Sequence, residues 1–102
     1  MTFKVVDAAG VAVYEMPVTG EVHDDAVDAL AEEAMRAAAA TVTDRVTMRD
    51  MCAQFRLPVA GGTLRAEAIV MSKSGIKMRV AADILAGGRH VASFEADALA
   101  AA

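Results

Sequence analysis

Residues 24–40 have the sequence DDAVDALAEEAMRAAAA, and the rest of the chain is best interpreted around this stretch. Its apolar side chains recur at the i, i+3, i+4 and i+7 positions of one helical face, namely Val27, Leu30, Ala31, Ala34, Met35 and Ala38. Asp24, Asp25 and Asp28 crowd the first turn, where carboxylates suit the free N–H groups and the helix dipole. The stretch therefore predicts one helix with a buried stripe and a polar face that carries Asp25, Asp28, Glu32 and Arg36.

Segments with strand-like patterns lie on both sides of this helix. Residues 11–18 predict a strand that ends near Pro17, because proline cannot donate to a ladder. Alternating apolar and polar residues predict four later strands, within residues 45–57, 63–72, 76–85 and 90–99. The turns between them are predicted at Gly61-Gly62, Lys73-Ser74-Gly75 and Gly87-Gly88. We expect an antiparallel meander with the helix in its concave face, which is an α+β fold.

The alternation also predicts which side chains face the helix. In residues 45–57 its phase changes near Arg49 and Asp50, which predicts a β-bulge there. We expect Cys52 to be a small core residue. In the last three strands the predicted inward side chains are Leu64, Ala66, Ala68, Val70, Ile76, Met78, Val80, Ala82, Ile84, Ala92, Phe94, Ala96 and Ala98.

The composition suits one globular domain over residues 1–102. The chain is 56% hydrophobic and 24% charged, with a formal net charge of -4, which argues against a nucleic-acid-binding protein. It has neither a long apolar run nor a signal peptide, so we expect a cytoplasmic protein that does not enter a membrane. A single cysteine excludes an intrachain disulfide. Because alanine buries little area, we expect a second subunit to cover part of the core.

Three short motifs occur in order along the chain. Residues 20–26, GEVHDDA, lead into the helix, and His23 precedes Glu32 by nine positions. These residues resemble a pattern in hot dog-fold acyl-CoA thioesterases of the phenylacetate-pathway and hydroxybenzoyl-CoA group. In that family a G-x-V-H-G-G motif is followed, at the same spacing from its histidine, by an acidic residue on the helix. Residues 55–64, FRLPVAGGTL, resemble that family's strand ending in proline, and residues 72–75, SKSG, resemble the hairpin that lies along bound CoA.

The resemblance implies one long central helix wrapped by a curved antiparallel sheet, and hydrolysis of an acyl-CoA thioester to a free acid and CoA. It implies that Glu32 acts as base or nucleophile, and that the backbone N–H of Asp24 belongs to an oxyanion hole at the helix N-terminus. It further implies an acyl-CoA substrate, no cofactor, and a homodimer or a homotetramer with sites across the dimer interface. The residues implied in binding substrate or CoA are His23, Phe55, Pro58, Ser72, Lys73, Ser74 and Gly75.

Asp24 and Asp25 stand where that family has two glycines. An ionised Asp24 about 5 Å from an oxyanion would oppose it by roughly 3 kcal/mol at an effective dielectric of about 20. A second function therefore stays open, a non-catalytic hot dog protein that binds acyl-CoA or a protein partner. A third is a hydratase acting on acyl thioesters, although its usual His-containing motif is absent.

Several of these residues also have simpler interpretations. Glu32 can form an i, i+4 ion pair with Arg36, and the two aspartates can cap the helix. Cations at Lys73, Lys77, Arg79 and Arg89 can contact CoA phosphates or can be solvated surface charges. A metal site built from His23, Asp24, Asp25 and His90 has no supporting ligand spacing, so no metal is expected.

Overall fold

The computed structural model describes residues 3–5, 10–21, 24–43, 45–56 and 60–100, which form one helix and one antiparallel sheet of six strands. In chain order the elements are β1 (Phe3–Val5), β2 (Val11–Glu21), α1 (Asp24–Ala40), β3 (Val46–Phe55), β4 (Ala60–Ser74), β5 (Lys77–Ala86) and β6 (Arg89–Ala100). The bounds of α1 are those that the sequence predicts. The α+β class is therefore confirmed, while the extent of the domain over residues 1–102 stays a prediction.

The order of the strands across the sheet is β1-β2-β4-β5-β6-β3, which corrects the predicted meander. Strands β4, β5 and β6 are consecutive neighbours, but β3 pairs with β6 and β4 pairs with β2. Alternation along a strand tells which face a side chain occupies and says nothing about the neighbouring strand. Strand β3 therefore lies at one edge of the sheet.

The sheet curves around α1. The helix contacts β2, β3, β4, β5 and β6. A helix is only about 10–12 Å wide, whereas five flat strands at about 4.8 Å spacing would extend roughly 19 Å. The helix begins just after β2 ends, and the residue after its last turn, Thr41, bonds to Gly10 at the start of β2. The helix therefore runs back along β2 inside the curved sheet.

The core lies between the helix and the concave face of the sheet. Every residue of the predicted helical stripe is buried. The predicted inward residues of β4, β5 and β6 are buried as well, with Val70 packed at the border of the core. Half of these sheet residues are alanines, which allow the helix to approach the sheet closely.

The end of β2 and the turn after β4 differ from the prediction. Pro17 pairs with Thr63, and β2 continues to Glu21. Strand β1 pairs with β2 only as far as Glu15. Among the described residues, the edge of β2 that faces β1 therefore has no partner beside Pro17. Proline is tolerated at such an edge. Strand β1 is too short for its periodicity to be recognised in the sequence.

The turn between β4 and β5 comprises Gly75 and Ile76, because Ser74 pairs with Lys77. Gly75 has a φ of 61°, a conformation that glycine adopts without a steric penalty. Ile76, predicted to face inward, is therefore exposed in the turn. Lys73, predicted in the turn, belongs to β4. The predicted turn at Gly87-Gly88 is confirmed.

One β-bulge in the middle of β3 and another near the end of β4 set the faces of the side chains that follow them. The bulge predicted in β3 is confirmed by a register shift between Arg49 and Cys52 and by a φ of 54° at Asp50. Beyond it Cys52 pairs with the exposed Glu95, so this thiol is exposed and the prediction that it lies in the core is wrong. The second bulge lies between Val70 and Ser72 in β4 and was not predicted from the sequence.

Thr41 connects the C-terminal end of α1 to the start of β2. Its Oγ1 donates to the carbonyl oxygen of Ala38 at 2.7 Å and accepts the N–H of Gly10. This hydroxyl thereby satisfies a carbonyl of the last helical turn and a backbone donor remote in sequence.

We expect Thr41→Val to lower the free energy of unfolding by about 1–3 kcal/mol, because valine keeps the shape but leaves the N–H of Gly10 without its acceptor. Each kcal/mol corresponds to a melting temperature lower by roughly 4–8 °C in a domain of this size. Thermal and urea denaturation measure the change. Thr47→Val, on the exposed side of β3, is the matched control. Equal stability of the two variants would contradict the proposed connection.

Candidate functional site

Glu32 lies on the polar face of α1, in its third turn. Its side chain is 44% exposed, and its Oε1 accepts a hydrogen bond from Arg36 Nη2 at 2.9 Å. The ion pair expected from the i, i+4 spacing is therefore present. The carboxylate remains accessible to water and to a ligand, which is what a general base or nucleophile requires.

Asp24 is the first residue of α1, so its backbone N–H is one of the free donors of the first turn. Its side chain, like the whole of His23, lies outside the described residues, whereas Asp25 is exposed. Glu32 follows Asp24 by eight positions, which corresponds to a rise of about 12 Å along the helix. One chain therefore does not bring these two predicted catalytic groups to the same carbonyl.

Phe55 ends β3 on the face that packs toward the helix. It pairs in register with the buried Ala92, and its ring meets that of Phe94 edge-on, with centroids 5.7 Å apart and an interplanar angle of 85°. Even so, Phe55 is 41% exposed. Neighbouring residues from Met51 to Arg56 are exposed too, so the edge of the core is open along this part of β3. Pro58 lies outside the described residues.

An open groove of about 580 Å³ lies on the outer face of the sheet, lined by Ser72, Ser74, Lys77, Arg79 and Asp97. The bulge in β4 creates it, because it places Ser72 opposite Arg79 and Ser74 opposite Lys77. Lys73 instead pairs with the buried Met78 and lies on the side of the helix. The structure therefore brings two of the four predicted CoA-binding hairpin residues together with two of the candidate cations, and it separates Lys73 from them.

Asp97 neutralises much of the positive charge in this groove. Its Oδ1 lies 3.0 Å from Arg79 Nη1, and its Oδ2 lies 3.6 Å from Lys77 Nζ. The hydrogen bond from Arg79, helped by the charge of Lys77 and opposed by partial burial, lowers the pKa of Asp97 below its ordinary value. Glu95 is also within 3.4 Å of Arg79. Asp97 was missed in the sequence because it sits on another strand and carries no local signal.

The groove and Glu32 lie on opposite sides of the sheet. The helix occupies the concave face, whereas the side chains of Lys77 and Arg79 occupy the convex one. The groove therefore does not share a face of the sheet with Glu32. On the concave side Tyr14 is buried, and its burial together with the charge of Glu33 raises its pKa.

A cluster of three polar side chains lies on the convex face near the turn between β5 and β6, and it comprises His90, Ser93 and Asp83. Ser93 Oγ is 2.9 Å and Asp83 Oδ1 is 3.2 Å from the same ring nitrogen, Nε2 of His90. A serine nucleophile relay needs the carboxylate on the other ring nitrogen, so this cluster is not such a relay. Among the described residues, no group of three or more His, Cys, Asp or Glu side chains is placed to hold a metal ion.

Comparison with solved structures identifies the fold. The PaaI protein of E. coli, from the phenylacetic acid degradation operon, superimposes with a TM-score of 0.92 at 22% identity, over 99% of this chain and 80% of that one. A point mutant of the phenylacetic acid degradation protein PaaI from Thermus thermophilus gives 0.91 at 21% identity, over 98% and 93%. The thioesterase HI1161 from Haemophilus influenzae gives 0.87 at 18% identity, over 96% and 76%.

These similarities confirm the hot dog fold, with one helix packed against a curved antiparallel sheet. No protein-family model and no curated protein matches the sequence. Within the described part of the chain, no helix has the length and apolar character needed to cross a membrane.

Proposed function

We propose that this protein is an acyl-CoA thioesterase that hydrolyses a thioester to a free acid and CoA. The observation that carries the proposal is the position of Glu32, a half-exposed carboxylate on the helix of a hot dog fold. The similar structures support it, since they include a protein named as a thioesterase and two PaaI proteins. The identity of the acyl group stays open, and the cytoplasmic location stays a prediction.

The chemistry requires a carboxylate and a site for negative charge. The thioester carbonyl lies at the N-terminus of α1, where the N–H of Asp24 and the helix dipole stabilise the oxyanion. Glu32 either takes a proton from the attacking water or attacks the carbonyl carbon itself. The C–S bond then breaks, and CoA leaves as a thiol after it gains a proton. Where Glu32 has attacked the carbonyl carbon, water then hydrolyses the anhydride that Glu32 forms with the acyl group, which releases the free acid and restores the carboxylate. No cofactor enters this sequence.

The rise of about 12 Å between Asp24 and Glu32 implies that the two groups act on one carbonyl only when they come from different copies of the chain. Among the described residues, β3 is an edge strand whose outer side pairs with no other strand, and it is available for such an assembly. Strand β3 has β6 on one side, and its residues from Arg49 to Phe55 are exposed. An exposed edge strand is a template for pairing with another chain. We therefore propose a homodimer joined along β3, with a homotetramer as its dimer of dimers.

We expect Ala53→Pro to convert the dimer to a monomer. The N–H of Arg56 donates to Val91 on β6 at 2.8 Å, so by the period of two the N–H of Ala53 points to the open edge. Proline removes that donor and leaves the ladder with β6 intact. Sedimentation velocity measures the state of assembly. Ala53→Thr, which keeps the N–H, is the matched control and should remain dimeric.

A dimeric Ala53→Pro protein with the sedimentation coefficient of Ala53→Thr would contradict pairing along β3. A monomer that still hydrolyses thioesters at the original rate would contradict a site shared between two copies. The two measurements therefore test the interface and its catalytic role separately.

The remaining site residues are proposed to bind the acyl-CoA substrate. Phe55, an exposed aromatic ring at the open edge of the core, is suited to the acyl group. His23 and Pro58 are proposed as binding residues from the resemblance alone. Lys73 lies on the helix side of the sheet and is suited to a CoA phosphate, with Gly75 in the adjoining turn. Ser72 and Ser74 would contact CoA held by another copy, because their groove opens on the convex face.

The second candidate is a non-catalytic protein that binds acyl-CoA or a protein partner. It is favoured by Asp24 and Asp25 at the start of α1, where negative charge opposes an oxyanion. Release of free thiol from short, aromatic and long-chain acyl-CoA substrates tests the two candidates. Turnover supports the thioesterase, whereas acyl-CoA binding without turnover supports the second candidate. Addition of water to an enoyl thioester with CoA retained would instead indicate a hydratase.

A further inference from the structure

Arg36 is the only basic residue of α1, and it contacts the carboxylate that the proposed reaction uses. The helix carries five carboxylates, at Asp24, Asp25, Asp28, Glu32 and Glu33. Glu33, at the i−3 position, also lies within the range of side-chain pairing on a helix surface. Arg36 nevertheless bonds to Glu32, through a single contact of 2.9 Å between Nη2 and Oε1. That contact engages one of the two oxygens of a carboxylate whose side chain is 44% exposed.

In either form of the proposed reaction Glu32 gives up its negative charge. As a general base, its carboxylate takes a proton from water while the oxygen of that water bonds to the carbonyl carbon. As a nucleophile, its oxygen bonds to the carbonyl carbon while the C–S bond breaks and the thiolate takes a proton from solvent. A cation bonded to the carboxylate stabilises the charged starting state more than the transition state. Retaining the ion pair therefore raises the barrier.

We propose that Arg36 restrains Glu32, as a positioning residue whose ion pair slows the step that consumes the carboxylate charge. This inference rests on the proposed thioesterase function. Both side chains are about half exposed, 49% for Arg36 and 44% for Glu32, so water weakens the interaction. The effect on the rate is correspondingly modest, about twofold to fivefold, at tenfold for each 1.36 kcal/mol.

Steady-state thiol release by the full-length dimer tests the restraint. We expect Arg36→Gln to raise kcat about twofold to fivefold with KM unchanged. Arg36→Lys keeps a cation one turn from Glu32 and should behave like the original protein. Arg45→Gln makes the same change in net charge at an exposed position outside the helix and should also leave kcat unchanged. The double variant Glu32→Gln/Arg36→Gln should be no faster than Glu32→Gln alone.

Ionic strength provides a second readout that a purely structural role would not move. The screening length falls from about 30 Å at 0.01 M salt to about 3 Å at 1 M. The ratio of kcat between Arg36→Gln and the original protein should therefore fall toward one as salt is raised. A kcat for Arg36→Gln that is unchanged or lower, or equal values for Arg36→Gln and Arg36→Lys, would overturn the restraint.

The same data separate this inference from the function on which it rests. Activity that requires Glu32 but does not respond to Arg36→Gln overturns only the restraint. Absence of thiol release from both the original protein and Arg36→Gln overturns the restraint and the thioesterase proposal together. Activity that appears only in Arg36→Gln supports both.

Discussion

Glu32→Gln is expected to lower the rate of thiol release by at least about a hundredfold, the lower limit of typical contributions from general acid–base catalysis. Glutamine has the shape of glutamate, but it can neither take a proton from water at neutral pH nor attack a thioester carbonyl. The substitution removes one exposed ion pair, worth about 0–1 kcal/mol, so the protein should remain folded and dimeric. Rates are measured by thiol release across the panel of acyl-CoA substrates.

Glu33→Gln is the matched control for this experiment. Glu33 is the next residue of the same helix and is exposed, and its replacement by glutamine changes the net charge by the same amount. It should retain the original rate. The assignment of Glu32 is wrong if Glu32→Gln keeps more than about a tenth of the activity, or if both variants lose activity equally.

Asp24→Gly is expected to raise the rate, by tenfold up to about a hundredfold. The substitution removes a charge whose repulsion of an oxyanion about 5 Å away amounts to roughly 3 kcal/mol, and each 1.36 kcal/mol is a factor of ten in rate. It also removes the Cβ from the position where the proposed thioester substrate would approach the backbone N–H. Glycine at a helix start costs only a few tenths of a kcal/mol relative to aspartate, so stability should change little.

Asp24→Asn separates charge from shape in this second experiment, because it keeps the Cβ and removes only the charge. A rate for Asp24→Asn close to that of Asp24→Gly would identify the charge as the main obstacle. A lower rate for Asp24→Gly than for the original protein would contradict an impaired oxyanion hole and indicate that the aspartate takes part in the reaction. Activity confined to Asp24→Gly would support the non-catalytic alternative for the natural chain.

The sequence predicted well those features that depend on local periodicity. The apolar stripe that repeats over 17 residues was sufficient to place α1. The contact between Glu32 and Arg36 follows from the same helical geometry. The change of phase in β3 revealed its bulge because apolar residues stand on both sides of it. The alternation in β5 and β6 likewise gave the inward faces.

Other features depend on contacts that no local pattern records. The position of β3 beside β6 results from packing around the helix, so the periodicity of β3 could not reveal it. The bulge in β4 was missed because polar residues at Ser72 and Ser74 are ordinary near a hairpin, although in a regular strand they would have faced the core. The bulge therefore decided the location of half of the predicted CoA-binding hairpin.

The structure places some residues of the predicted site without testing their roles. The structure shows Glu32 exposed and Asp24 at the start of the helix, and it shows Phe55 at an open edge. It does not bring Glu32 and Asp24 together within one chain, and His23 and Pro58 lie outside the described residues. The catalytic and binding roles of all of these residues stay predictions.

The strand order also determines how the chain must fold. Hairpins can join β4, β5 and β6 by contacts that are close in sequence, but β2 reaches β4 only after the helix and β3 have been passed, and β3 reaches β6 only after two further strands. Closing such long loops costs entropy before the pairing is gained. Small domains dominated by non-local pairing fold slowly, on the scale of milliseconds to seconds. We therefore expect the strand order that encloses the helix to make the pairing of β3 with β6 a late event in folding.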